Sequence, residues 1–183
     1  MITITSHIYV CLKFYVSITI LIYEQIPMDG IYRPCVGAVI LNDVQKIFLG
    51  QRAGIDGAWQ MPQGGIDAHE SEEQALLREL EEEIGTNQVE ILAQSAHWHT
   101  YILPEPLRIK MKSYWGAGVI GQRQKWFLCR FKGLEASINL GDVSPEFSSY
   151  MWADPQTVLD TCVEFKKKIY HDVLMEFGLI QGS

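Results

Sequence analysis

The chain has 183 residues, of which 48% are hydrophobic and 20% are charged, a composition typical of one globular domain with ample core. Its formal net charge of −7 at pH 7 argues against a sequence-indifferent coat for nucleic acid, although not against binding one phosphorylated end. The cysteines form no C-x-x-C pair, which predicts core thiols of a reduced cytoplasmic protein rather than a disulfide or zinc framework; they are Cys11, Cys35, Cys129 and Cys162.

The first 27 residues differ in character from the rest of the chain. Residues 8–23 are apolar apart from Lys13, Ser17 and Thr19. This run is short for a membrane span and lacks both a basic start and a small-residue cleavage site. We therefore expect an N-terminal extension over 1–27, with Met28 as the native start and one domain over 28–183. A weak membrane anchor is the alternative.

From Tyr32 the pattern becomes regular. Residues 36–41 and 46–51 are short apolar runs separated by a turn-like Asn42-Asp43, and they predict two strands. The segment WQMPQ at 59–63 leads into Gly64 and Gly65, which permit a close backbone approach to the following helix.

The pattern over 71–84 predicts an amphipathic helix. Ser71 with Gln74 is a capping box and Gly85 is a helix stop. Three carboxylates share one face, while three apolar residues form a packing face; the carboxylates are Glu79, Glu82 and Glu83, and the apolar residues are Leu77, Leu80 and Ile84. Like charges at these spacings repel, and acids in the last turn oppose the helix dipole. A divalent cation would reverse both effects, and hard oxygen ligands suit Mg²⁺ or Mn²⁺. A solvated acidic helix is the alternative.

Residues 89–96 predict a further strand. His97 and His99 flank Trp98, but two alternating histidines without a third ligand favour ordinary surface or core histidines over a metal site. The segment 106–134 contains no acid and holds seven of the fifteen Lys and Arg residues, namely Arg108, Lys110, Lys112, Arg123, Lys125, Arg130 and Lys132. It fits either a cationic wall that faces the carboxylates across a polyphosphate or a strand with solvated basic side chains.

The last third of the chain predicts strands at 124–131 and 150–152 and a helical turn at 155–159. Between the two strands, Glu146 lies in a loop, SPEF. Apolar residues recur every fourth position and predict a closing helix; they are Phe165, Ile169, Val173 and Phe177. Within that helix the run of lysines at 166–168 reads by default as a solvated face.

Eight positions fit the pattern G-x5-E-x7-R-E-U-x-E-E-x-G-U of the Nudix box, and only Thr86 departs from it; the eight are Gly64, Glu70, Arg78, Glu79, Leu80, Glu82, Glu83 and Gly85. The chain therefore resembles the Nudix family, which implies an α/β fold with a mixed sheet sandwiched between helices. The segments YRPCVGAVI, WQMPQGGI, GQRQKWF, SPEF and EFKKKIY are similar to the bacterial RNA pyrophosphohydrolase and dinucleoside polyphosphate hydrolase branch, over residues 32–177.

This resemblance implies roles for individual residues. Glu79, Glu82, Glu83, Glu146 and the carbonyl of Gly64 would hold Mg²⁺ or Mn²⁺, with Glu146 as a further ligand or base. Arg78 would orient a box carboxylate through a charge-assisted hydrogen bond. The phosphate wall would consist of Arg33, Arg52, Tyr101 and Lys125.

Phe165 and Lys166 match one half of the site that sandwiches a base near the RNA 5′ end. Ala53 stands where the other half has an arginine. This departure weakens the RNA interpretation relative to a dinucleoside polyphosphate.

Three functions remain open from the sequence. The first is metal-assisted removal of pyrophosphate from 5′-triphosphorylated RNA, which promotes mRNA decay. The second is asymmetric hydrolysis of diadenosine tetraphosphate to ATP and AMP, and other Nudix substrates also stay possible. The third is a non-catalytic ligand sensor, which the intact box carboxylates disfavour. We expect a cytoplasmic enzyme whose partner is one of these substrates, without DNA or membrane as a partner.

Overall fold

The structure, a computed structural model, describes residues 30–116, 118–141 and 145–181. The expectations for residues 1–27 and for Cys11 lie outside the described residues. Within the described part, the strands are β1 Ile31–Leu41, β2 Ile47–Arg52, β3 Trp59–Gln60, β4 Gln63–Gly65, β5 Val89–Gln94, β6 His99–Ile102, β7 Val119–Phe131 and β8 Phe147–Ala153. The helices are α1 Glu72–Ile84, α2 Glu105–Trp115, α3 Pro155–Thr161 and α4 Glu164–Glu176.

The strands form a mixed sheet in the order β3-β2-β1-β7-β5, with β4 beside β1, β6 beside β7 and β8 beside β2. The long strands β1 and β7 run parallel, with Val36 opposite Lys125 and Leu41 opposite Arg130. The other strand pairs are antiparallel. Residues 35–41 of β1 are all buried. A strand at the centre of a sheet covered on both faces is buried on both sides, which explains the continuous apolar run in the sequence.

One hydrophobic layer lies on each face of the sheet. On one face, Leu76 and Leu80 of α1 belong to the same buried cluster as Phe48 and Phe127. On the other face, α3 and α4 cover a second buried cluster built from Val39, Leu49, Met61, Trp126, Val158, Tyr170, Val173 and Leu174. The predicted α/β fold, a mixed sheet between helices, is therefore confirmed.

Helix α1 begins and ends where the sequence predicts. Ser71 Oγ accepts from the Gln74 backbone N–H at 3.2 Å, and the Gln74 side chain accepts from the Ser71 backbone N–H at 2.9 Å. Gly85 closes the helix in the left-handed conformation, with φ of 71°. The packing face differs slightly from the prediction, because Leu76 is fully buried while Leu77 is only half-buried.

The predicted strands and the closing helix are present, although β1, β7 and β8 begin several residues earlier than predicted. Strands β3, β4 and β6 and helix α2 were not predicted. The basic segment begins with this helix, so the interpretation of that segment as a strand is wrong over α2. Cys35 and Cys129 are buried as expected, whereas Cys162 is only half-buried.

In the part of the chain that the structure describes, no helix combines the length and the apolar composition needed to cross a membrane.

Candidate active site

Arg78 connects the glycine loop to the acidic face of α1. Its Nη2 donates to Glu70 Oε1 at 2.6 Å and to the Gly65 carbonyl oxygen at 2.8 Å. Its Nη1 donates to Glu79 Oε1 at 2.9 Å and lies 3.5 Å from both carboxylate oxygens of Glu82. The hydrogen bond from Arg78 lowers the pKa of Glu70 and, with the pair to Glu79, raises the pKa of the guanidinium. One planar side chain therefore fixes both Glu79 and the loop.

Gly64 is adjacent to the Glu79 carboxylate. A β-carbon placed on Gly64 would overlap the carboxyl group of Glu79. Strand β4 holds this glycine in place by pairing with β1, where Gly64 stands opposite Val36. The absence of a side chain at Gly64 is thus what allows the loop backbone to approach the carboxylate.

Glu79 and Glu83 are carboxylates removed from water. Burial raises the pKa of Glu79, and burial together with the nearby charge of Glu146 raises the pKa of Glu83 well above its usual range. Glu83 Oε2 accepts a compensating hydrogen bond from the Gln63 backbone N–H at 3.0 Å. The buried Glu83 and the half-buried Glu79 are costly to charge, which provides a strong electrostatic preference for a nearby cation.

Glu146 lies immediately before β8 and forms an ion pair with Arg52. Arg52 Nη1 is 2.6 Å from Glu146 Oε1, and Gln60 Nε2 donates to the same oxygen at 3.4 Å. The Ala53 backbone N–H donates to the Glu146 carbonyl oxygen at 2.9 Å. These contacts hold the carboxylate of Glu146 beside Arg52, the last residue of β2.

Lys166 is only 4% exposed, so the interpretation of residues 166–168 as a solvated face is wrong at this position. Its Nζ donates to Gln60 Oε1 at 3.0 Å and to Gln63 Oε1 at 2.8 Å. Burial and the nearby charge of Arg52 lower the pKa of Lys166 to about 8. Both of these acceptors are neutral amides, so they do not fully compensate the free-energy cost of burying the charged ammonium. An anionic ligand would offset this cost.

A cleft of about 390 Å³ brings most of these groups together. Nine of the residues predicted for the site line it: Arg33, Arg52, Gly64, Glu79, Glu83, Tyr101, Glu146, Phe165 and Lys166. Three predicted site residues are not among its lining residues. Arg78 and Glu82 lie beside it on α1, with the Glu82 side chain 59% exposed. Lys125 donates instead to the Ala96 carbonyl oxygen at 3.4 Å.

Two aromatic side chains meet within the cleft. The rings of Tyr101 and Phe165 have centroids 5.7 Å apart at an interplanar angle of 34°. Burial raises the pKa of Tyr101, so its hydroxyl stays protonated and donates to Gln122 Oε1 at 2.6 Å. The pair presents a rigid aromatic surface next to the buried Lys166.

Sequence reasoning missed two parts of the site. The first is a layer of glutamines beneath the cleft, in which Gln63 and Gln124 contact each other and Gln122; only their position within WQMPQ and GQRQKWF gave a signal. The second is the wall formed by α2, whose Leu107, Met111 and Trp115 line the cleft. Their spacing of four residues was the available signal for a helix.

The donor set fits a hard divalent cation. Carboxylate oxygens from α1 and β8 and a backbone carbonyl from the glycine loop are the ligand types that Mg²⁺ takes, usually one or two carboxylates together with waters and substrate phosphates. Among the residues that the structure describes, no group of three or more His, Cys, Asp and Glu side chains is gathered closely enough to form a ready-made cage.

Residues 31–173 match the family model of the NUDIX domain. The chain belongs to the Nudix hydrolase family. Nudix hydrolase 26, chloroplastic, of Arabidopsis thaliana is 46% identical over 155 residues, which are 83% of this chain and 71% of that protein. RNA pyrophosphohydrolase of Rhodospirillum rubrum is 46% identical over 147 residues, 80% of this chain and 87% of that protein.

The fold is shared with solved Nudix structures. The dihydroneopterin triphosphate pyrophosphohydrolase of E. coli superimposes with a TM-score of 0.58 at 17% identity, covering 79% of this chain and 98% of that one. As a Nudix hydrolase the chain is an enzyme, and hydrolases of this family generally require divalent cations.

Proposed function

We propose that this Nudix hydrolase removes pyrophosphate from the 5′-triphosphate end of RNA, using Mg²⁺ or Mn²⁺. The observation that carries the proposal is that one cleft holds carboxylates, cations and an aromatic pair together. The carboxylates suit a divalent cation, the cations Arg33, Arg52 and Lys166 suit a triphosphate, and Tyr101 with Phe165 suits a base. Several curated relatives named RNA pyrophosphohydrolase, at 41–46% identity, support this choice of substrate.

The contacts support a proposed role for each residue. Glu79, Glu82, Glu83, Glu146 and the Gly64 carbonyl would hold the cation, which supplies an activated water and neutralises phosphate oxygens. Arg78 holds the Glu79 carboxylate in one orientation by a 2.9 Å hydrogen bond.

The remaining roles concern the phosphates and a proton. Arg52 and Lys166 bind phosphate oxygens, and Lys166 does so from a buried position where its charge is strong. We assign Glu146, in contact with Arg52, either as the further cation ligand or as the base that accepts a proton at its carboxylate.

Hydrolysis of dinucleoside polyphosphates is the second candidate. Ala53 follows Arg52 at the position where the resemblance implies an arginine for stacking a base. Its methyl side chain offers no cationic plane, which leaves the base to the Tyr101 and Phe165 pair. The absence of this stacking arginine weakens the RNA interpretation relative to diadenosine tetraphosphate.

A direct competition tests the proposal. The full chain with Mg²⁺ is offered 5′-triphosphorylated RNA and diadenosine tetraphosphate in parallel, and released pyrophosphate, ATP and AMP are resolved by chromatography. The proposal predicts pyrophosphate from RNA at the higher kcat/KM. A higher kcat/KM for ATP plus AMP formation would replace it with the second candidate. Turnover of neither substrate would reject both.

The proposal extends to the cellular compartment and to the limits of the catalytic domain. We infer that the enzyme is cytoplasmic, because its proposed substrate is RNA and because the cysteine pattern of the chain fits a reduced compartment. We assign the catalytic domain to residues 28–183 and treat residues 1–27 as an extension.

A further inference from the structure

Helix α2 forms a wall of the cleft with a stripe of three apolar side chains. Leu107, Met111 and Trp115 are spaced four residues apart, share one face of the helix, and all line the cleft. All eleven residues of α2 are described and none of them is fully buried. Tyr114, on another face, is 78% exposed and is not among the lining residues. The stripe therefore faces the cleft as a half-exposed apolar surface, rather than anchoring the helix in the core.

Arg33 links this stripe to the glycine loop. Its guanidinium carbon lies 5.1 Å from the centroid of the Trp115 ring, a cation–π contact. A β-carbon on Gly65 would overlap the same guanidinium, so Arg33 lies between Trp115 and the loop. Lys110 of α2 also lines the cleft. The stripe therefore lies beside two cations that suit phosphate. A ligand that carries both an apolar group and a phosphate group would fit the stripe and these cations together.

The cleft already contains one aromatic surface, formed by Tyr101 and Phe165. Trp115 belongs to a different element and contacts Arg33 instead. One cleft therefore offers two separate aromatic surfaces together with phosphate-binding cations. A molecule that carries two nucleobases joined through phosphates matches this arrangement better than a mononucleotide, because each base has a π face to stack on.

We propose that the α2 stripe of Leu107, Met111 and Trp115 binds a second nucleobase of the substrate. This inference rests on the proposed function and adds a substrate requirement to it. The second base belongs either to the next nucleotide of an RNA 5′ end or to the second nucleoside of a dinucleoside polyphosphate. In both cases the stripe makes the enzyme prefer dinucleoside ligands to a nucleoside triphosphate.

The test measures binding without turnover. Calorimetry in EDTA gives Kd for three ligands: the 5′-triphosphorylated dinucleotide pppApA, diadenosine tetraphosphate and ATP. The variants are Trp115→Leu, Trp115→Phe and Met111→Ala, with Tyr114→Leu as the matched control on the same helix. Because stacking on an aromatic side chain is worth roughly 5- to 150-fold in affinity, wild type is expected to bind at least one dinucleoside ligand about tenfold more tightly than ATP.

The expected result is that Trp115→Leu removes this preference, because it weakens binding of the dinucleoside ligand much more than binding of ATP, and that Met111→Ala removes part of it. Trp115→Phe and Tyr114→Leu are expected to keep it, and the dinucleoside ligand that shows the effect identifies the source of the second base. An equal loss for all three ligands would overturn the proposal, because Trp115 would then serve only to position Arg33. The proposal would also be overturned if the wild-type protein bound neither dinucleoside ligand more tightly than ATP.

Failure of the proposed function has a separate readout. If the proposed function is wrong, the wild type will not release pyrophosphate from 5′-triphosphorylated RNA in the presence of Mg²⁺, whatever its binding preference. If Trp115→Leu fails to fold, as judged by circular dichroism, Met111→Ala decides, because it shortens the stripe and leaves the indole beneath Arg33 in place. A folded Met111→Ala variant with the full preference would then overturn the proposal.

Discussion

Lys166 and Gln63 are joined by a hydrogen bond of 2.8 Å from Nζ to Oε1, which holds a buried ammonium against a neutral amide. The same Gln63 donates its backbone N–H to Glu83. One glutamine of β4 therefore contacts both the carboxylate side and the cationic side of the site. A change in the charge of Lys166 therefore acts directly beside Glu83, a proposed metal ligand, whose pKa the lysine charge lowers.

The charge of Lys166 is expected to make substrate binding fall as pH rises through about 8, the pKa that burial gives this lysine. Below that pH the ammonium is charged and binds phosphate, and above it the neutral amine does not. Initial rates between pH 7 and 9.5 should show KM for the triphosphate rising in this window. Lys166→Arg should lose the rise, because a guanidinium does not titrate there.

Lys166→Gln is expected to lower kcat/KM by roughly 10- to 150-fold, because a hydrogen bond to a charged group is worth about 1.5–3 kcal/mol. Lys168→Gln is the control, since its side chain is 82% exposed and pairs with Asp172 on the same helix. Equal rates in the two variants would contradict the assignment of Lys166 to the phosphates.

Arg78→Lys is expected to reduce both stability and turnover. A lysine cannot donate simultaneously to Glu70, Glu79 and the Gly65 carbonyl as the planar guanidinium does. Losing such a partner costs about 1–3 kcal/mol in free energy of unfolding, which urea denaturation would measure. Initial rates should fall in parallel. The exposed Arg123 gives the control, Arg123→Lys, and an Arg78→Lys variant as stable and active as the control would refute the role.

Gly64→Ala is expected to displace the Glu79 carboxylate, because the added β-carbon would overlap it. Turnover with Mg²⁺ should fall by at least tenfold, and the Mg²⁺ concentration that gives half-maximal rate should rise. Gly118→Ala is the matched control, since its β-carbon would meet only the flexible end of Ile31, at 3.1 Å. Unchanged Mg²⁺ dependence in Gly64→Ala would show that the close approach is not needed.

Much of the fold follows from local signals in the sequence. The capping box of Ser71 and Gln74 and the stop at Gly85 fix α1, and its strict helical spacing places Glu79 and Glu83 one turn apart. Strands β3, β4 and β6 have two to four residues each and are defined by their partners, so their own residues carry too little pattern to predict them.

The site was harder to predict where burial depends on distant residues. Lys166 stands in a run of three lysines, and its burial depends on contacts with Gln60 of β3 and Gln63 of β4, about a hundred residues away, while Lys168 stays exposed. Lys125 is basic and lies within GQRQKWF, yet a strand alternates its side chains and its neighbour Gln124 faces the glutamine layer instead. Helix α2 has no fully buried residue, which weakens its periodic signal.

Mg²⁺-dependent pyrophosphate release from 5′-triphosphorylated RNA should be measured for wild type, Glu82→Gln and Glu81→Gln. Glu81 and Glu82 are exposed neighbours on α1, so both variants should keep the wild-type melting temperature. We expect release by wild type and Glu81→Gln, and a rate at least 100-fold lower in Glu82→Gln. Normal turnover in a folded Glu82→Gln variant would contradict the carboxylate assignment. No release by wild type would contradict the proposed reaction itself.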